Sequence, residues 1–112
     1  MLDVAWRPRA HLDKESIAFY LGYERQSPEA ALAAIQSIDA AIDRIRAFPD
    51  SGGHFVLDGL ENREYRTTHA NPYTIYYRFD EEKLIIYRIL HQRRNIDTYE
   101  LIDFPVDSER ER

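Results

Sequence analysis

The sequence predicts an α+β domain of order β-α-α-β-β-β, a small antiparallel sheet with an N-terminal helical hairpin packed on one face. Two observations predict it. In the first half, apolar residues recur at helical spacing, most clearly in the stripe Leu32, Ile35, Ile38, Ile42, Ile45 and Phe48. In the second half, Tyr73 to Phe79 alternates with period two and is rich in β-forming Tyr, Ile and Thr, and an apolar run, Leu84 to Leu90, follows it. Helices grouped early and strands grouped late are the pattern of one sheet with helices on one face. With 112 residues the chain is long enough for one core, assigned to residues 1–102, with a charged and flexible tail expected over 103–112.

Each element has its own signals. Leu2, Val4 and Trp6 alternate with Asp3 and Ala5, a short strand stopped by Pro8, which also suits the first turn of a helix. From Arg9 to about Arg25, Leu12, Ile17, Tyr20 and Leu21 with Ala10 and Ala18 mark one buried helical face, and Gly22 weakens the last turn. Ser27-Pro28-Glu29 opens the second helix, with a serine cap, proline at the first position and an acid near the positive dipole end. Pro49 and the run Asp50-Ser51-Gly52-Gly53 close it, so the two helices form an antiparallel hairpin. His54–Leu57 reads as a short strand or loop, Asp58-Gly59 as a turn, and Arg63–Thr68 as a strand. Tyr73–Phe79 and Leu84–Leu90 are strands joined by a turn at Asp80–Lys83. Leu84–Leu90 is apolar on both parities apart from Arg88, as an inner strand would be, and the first strand is expected beside one of the late ones. Asn95–Ile102 is expected to add a helical turn or two.

Composition narrows the chemistry. There is no cysteine, and His11, His54 and His69 lack ligand spacing, so neither a metal nor another cofactor is expected. The amino terminus has no apolar h-region and no window is apolar enough to span a bilayer, which leads to the expectation of a soluble cytoplasmic protein without membrane contact. Net charge is −5, distributed as −4 over residues 1–62, +3 over 63–94 and −4 over 95–112. That balance argues against non-specific nucleic-acid binding, which depends on phosphate neutralisation, and no direct DNA binding is expected of the chain alone. Positive charge collects on the strands and at their end, where His91, Arg93 and Arg94 form the candidate target-binding site.

Bland readings stand beside this one. His91 also suits a hydrogen-bonded strand end, and Arg93 with Arg94 a solvated turn. Arg88, among apolar neighbours, is expected to pair with an acid such as Glu64. The tyrosines at 65, 73, 76, 77 and 87 look like a base-stacking platform but, on strands of a small domain, read as core and edge packing.

Trp6-Arg7-Pro8-Arg9-Ala10, Phe48-Pro49 with glycines after it, Pro72-Tyr73-Thr74-Ile75-Tyr76-Tyr77 and Arg88-Ile89-Leu90-His91-Gln92-Arg93-Arg94 together resemble the RelE/ParE toxin superfamily, over residues 2 to about 99. The resemblance implies the toxic half of a bacterial type II toxin–antitoxin module, held inactive by a cognate antitoxin in a hetero-oligomeric complex. RelE-like and YoeB-like members cut mRNA on the ribosome, whereas ParE-like members, the plasmid stabilisation proteins, poison DNA gyrase by protein–protein contact and catalyse no reaction.

The residues favour the second branch. Metal-free RNA cleavage needs a base, an acid and cations around one phosphate. Matched through the Pro72-Tyr73 turn, the places that carry basic residues in RelE-like enzymes are held here by Tyr65, Thr67 and Thr74. Arg93 and Tyr99 do match an Arg and a Tyr six residues apart, and His91 stands where a YoeB-like histidine would act. A ribosome-dependent nuclease would therefore rest on Arg66, His91, Arg93 and Tyr99, although alternation puts Arg66 on the opposite face from Tyr65 and Thr67. The ParE-like alternative asks only for a contact surface, with Arg93 and Arg94 as bidentate donors to a carboxylate or phosphate on the target.

Overall fold

The computed structural model describes residues 1–57, 59, 61, 63–93, 96 and 101. These form strands β1 (Asp3–Trp6), β2 (Gly53–Phe55), β3 (Tyr65–Ala70), β4 (Tyr73–Phe79) and β5 (Lys83–His91), with helices α1 (Pro8–Phe19) and α2 (Pro28–Ala47). The sheet order is β1-β5-β4-β3-β2, so β5 is an inner strand and β1 lies beside a late one. The expected α+β arrangement holds, with two additions. β1 runs parallel to β5, Val4 opposite Leu84, which makes the sheet mixed. β2, three residues pairing antiparallel with β3, adds a fifth strand too short and too polar to show an alternation of its own.

The helical hairpin follows its sequence signals. Ser27 Oγ accepts the Ala30 N–H at 3.3 Å, ahead of Pro28 at the first helical position. Around Gly22 the first helix widens into a π-helical turn, Tyr20–Glu24, and Gln26 takes the left-handed conformation (φ 52°) to reverse the chain. Lys14 Nζ meets Asp39 Oδ1 at 2.8 Å across the two helices.

Ile38, Ile42 and Ile45 of α2 are buried against Ile75, Tyr77, Leu84, Ile86 and Ile89 of the sheet. Each fully buried isoleucine removes enough apolar area from water to contribute about 1.5–3 kcal/mol. The ends of the stripe behave differently: Leu32 is exposed, Phe48 is exposed at the non-helical C-cap (φ −134°), and Leu12 and Tyr20 of the expected α1 face are exposed as well. A second cluster, Tyr65, Tyr76, Tyr87, Leu90 and Leu101, covers the opposite face of the sheet. The strand tyrosines at 65, 76, 77 and 87 are thus core residues.

Both clusters draw on β5, whose side chains alternate between the two faces, and its pairing with β4 carries a bulge. The register shifts between Tyr76, opposite Arg88, and Tyr77, opposite Ile86, leaving Tyr87 as the extra residue. Beyond Ile86 the β1 side of β5 is taken by α1, whose start is marked by the Arg7 N–H bond to Ile86 O at 2.9 Å. Asp13 of α1 accepts from Arg88 Nε at 2.7 Å, Arg88 Nη2 at 2.8 Å and the Ile89 backbone N–H at 2.9 Å. This corrects the pairing expected from sequence: the acid opposite Arg88 is Asp13, not Glu64. The helical turns expected over Asn95–Ile102 lie outside the described residues apart from Ile96 and Leu101, as does the tail, 103–112.

Candidate functional site

The central hairpin carries its basic cluster at the end of β5, beside the turn that opens β4. His91 stands opposite Tyr73 in the register, their rings edge-on at 6.0 Å. The Gln92 N–H donates to Pro72 O at 2.8 Å, tying the strand end to the Asn71-Pro72 connection, whose peptide bond is cis. The Arg93 N–H donates to His91 Nδ1 at 3.2 Å. With Nδ1 accepting, the neutral ring carries its proton on Nε2, so His91 offers a donor rather than a free base. His91, Gln92 and Arg93 are all exposed, and among the described residues the Arg93 guanidinium has no partner. Burial, and then the nearby Tyr20 hydroxyl, raise the Tyr73 phenol above its ordinary value.

The sheet face opposite the helices holds the three positions that would carry cations in an mRNA nuclease. Tyr65 is buried in the second cluster, its ring edge-on to Tyr87 at 5.2 Å. Thr67 and Thr74 are neutral, and Thr74 Oγ1 lies 3.3 Å from His69 Nδ1. Arg66 is engaged elsewhere: Nη1 donates to Asp50 O at 3.1 Å and Gly52 O at 2.9 Å, and its guanidinium lies over the Phe79 ring at 5.7 Å. Arg66 stands opposite Tyr77 and His91 opposite Tyr73. At about 3.3 Å per residue that is a separation of about 13 Å along β4. His91 and Arg93 are brought together, Arg66 is held apart from them, and Arg94 and Tyr99 lie outside the described residues.

Reading by helical face missed an exposed apolar ledge on the helical layer. Phe19 and Tyr23 stack at 5.1 Å with an interplanar angle of 18°, beside exposed Leu12 and Tyr20. The signal was available in the excess of aromatic residues around Gly22, more than one buried stripe can hold. Glu15 and Glu24 border the shallow groove that Leu12, Phe19 and Tyr20 line. Among the described residues no group of His, Asp or Glu is arranged to hold a metal ion, and no helix is long and apolar enough to cross a membrane.

A helical hairpin packed on a five-stranded mixed sheet is the fold of the RelE/ParE superfamily. The family model described as "ParE toxin of type II toxin-antitoxin system, parDE" matches residues 4–96, and the chain belongs to that family. It is thus a toxin of a type II toxin–antitoxin module. Among solved structures it is similar to a chain of the "Chromosomal ParDE TA system from P. aeruginosa", at 22% identity and a TM-score of 0.61, over 81% of this chain and 96% of that one. That likeness is one of fold. No curated protein matches the chain.

Proposed function

We propose that the protein inhibits DNA gyrase by protein–protein contact in the cytoplasm, catalyses no reaction itself, and is neutralised by a cognate antitoxin. The observation that carries this reading is the site's chemistry. Tyr65, Thr67 and Thr74 put neutral side chains at the three positions that carry cations in RelE-like nucleases, and Arg66 is committed to backbone carbonyls at the other end of the sheet. The strand end does offer hydrogen-bond donors, from His91 Nε2 and the Arg93 guanidinium, on a surface open to a large partner. The antitoxin is expected on the apolar ledge of Leu12, Phe19, Tyr20 and Tyr23, where a segment disordered alone gains enough burial to fold.

Plasmid supercoiling by purified gyrase, with and without the toxin, tests the reading. The expected result is loss of supercoiling with accumulation of linear DNA, reversed by the antitoxin. No effect at high toxin excess would overturn it and direct attention to mRNA cleavage on ribosomes.

A further inference from the structure

The helical layer and the basic strand end meet at one edge of the molecule. Helix α1 runs along β5 in the direction of the strand: the Arg7 N–H bonds Ile86 O, and Asp13 accepts the Ile89 N–H. From Asp13 on to Tyr20 the helical chain rises about 10 Å, at about 1.5 Å per residue, whereas β5 has only about 7 Å left from Ile89 to His91. The helix end therefore overtakes the strand end. His91 lies on the same side, because it stands opposite Tyr73, cross-strand partners share a face, and Tyr73 packs on the core beneath the helices.

A strip of arginine and aromatic side chains results. Exposed Arg25 places Nη1 3.4 Å from the hydroxyl of exposed Tyr20, and Tyr20 lies near enough to Tyr73 to raise its phenol. The Tyr73 ring is edge-on to His91 at 6.0 Å, and Arg93 follows. We propose that the target-binding surface is this whole strip, with Arg25 and Tyr20 of the helical layer contacting gyrase alongside Arg93; the inference rests on gyrase being the target. Arginine and tyrosine dominate binding hot spots, and cations at both ends of the strip fit a protein surface that offers carboxylates. DNA is a poor occupant, because its phosphates repel a chain of net charge −5. Tyr20 also lines the ledge assigned to the antitoxin, so target and antitoxin exclude each other there.

Supercoiling by purified gyrase is titrated with the full chain and with its variants Arg25→Ala, Tyr20→Ala, Tyr20→Phe, Arg93→Ala and Lys83→Ala. Lys83, an exposed cation at the opposite end of β5, controls for charge alone. Half-inhibition is expected to need about tenfold more of Arg25→Ala or Tyr20→Ala than of the parent, with Lys83→Ala unchanged and Tyr20→Phe in between. Thermal unfolding by circular dichroism confirms that each variant is folded; should Tyr20→Ala fail there, Arg25→Ala and Tyr20→Phe carry the test. Parent-like inhibition by the Arg25 and Tyr20 variants, with Arg93→Ala inactive, would overturn the strip and leave gyrase as the target. A parent without effect on gyrase would overturn both. Retardation of plasmid alone by the parent, lost in Arg25→Ala, would assign the strip to DNA and overturn the proposal as well.

Discussion

Asp13 and Arg88 form a two-pronged ion pair across the junction of helix and sheet, Nε to Oδ2 at 2.7 Å and Nη2 to Oδ1 at 2.8 Å. The side chains are 14% and 6% exposed, and Oδ2 also takes the Ile89 N–H. Removing Asp13 takes three acceptor contacts from a buried guanidinium and its neighbouring backbone N–H. Asp13→Ala is therefore expected to lower stability by about 3–5 kcal/mol, with Asp13→Asn falling between it and the parent. Urea unfolding followed by circular dichroism measures both, and an alanine variant as stable as the parent would contradict the assignment.

Gly52 is required by its neighbours. A Cβ there would collide with the Tyr77 hydroxyl and lie 2.6 Å from Thr67 O. The same hydroxyl donates to Pro49 O at 2.7 Å, pinning the end of α2 to β4. Gly52→Ala is expected to cost about 1–3 kcal/mol through overpacking. Tyr77→Phe, which removes the oxygen, should recover part of that loss in the double variant. Additive losses in thermal unfolding would show that the two groups do not meet.

Arg66 and Arg93 should separate stability from function. Arg66→Ala gives up two backbone hydrogen bonds and a ring contact, an expected loss of about 1–3 kcal/mol. Arg93→Ala removes an exposed side chain and should leave stability within about 0.5 kcal/mol while abolishing gyrase inhibition. Full inhibition by the Arg93 variant would remove that residue from the contact surface.

Alkaline pH should destabilise the fold. Burial raises the phenols of Tyr73, Tyr76 and Tyr77 above 10.0, so the folded state holds their protons more tightly than the unfolded chain does. Their contribution is complete below the unfolded value, about 10, and is lost as pH rises through the folded values. Urea midpoints across this range are expected to fall, and to fall less in Tyr76→Phe and Tyr77→Phe. Equal slopes in parent and variants would assign the decline to other groups.

Local chemistry made much of this legible. Ser27-Pro28 located the start of α2, the isoleucine spacing identified its buried face, and the alternation in Tyr73–Phe79 delimited β4. The inner position of β5 was readable from its apolar residues on both parities. Contacts between distant segments were less visible. The bulge at Tyr87 changes the facing of Arg88 and the rest of β5, and Arg88 finds its acid 75 positions away, beyond the reach of any local pattern. Arg66 looked available because its partners, the carbonyls of Asp50 and Gly52, are backbone atoms that leave no mark in the side-chain sequence. At the candidate site, the nearness of His91 to Arg93 could be read directly. The commitment of Nδ1 to a backbone N–H could not.

The use of α1 in place of a strand beside the second half of β5 also bears on how copies of this chain behave in a crowd. An open β5 edge would be a template for stacking one molecule on another. Here Asp13 occupies its Ile89 donor, and the edges left at the two ends of the sheet are β1 and β2, of four and three residues. Beside β1, Leu2 is further tied to Arg46 through bonds in both directions. Growth of a fibre by strand addition has little backbone to begin from, so a toxin released from its complex is guarded against aggregation by the same helix that covers the second half of β5.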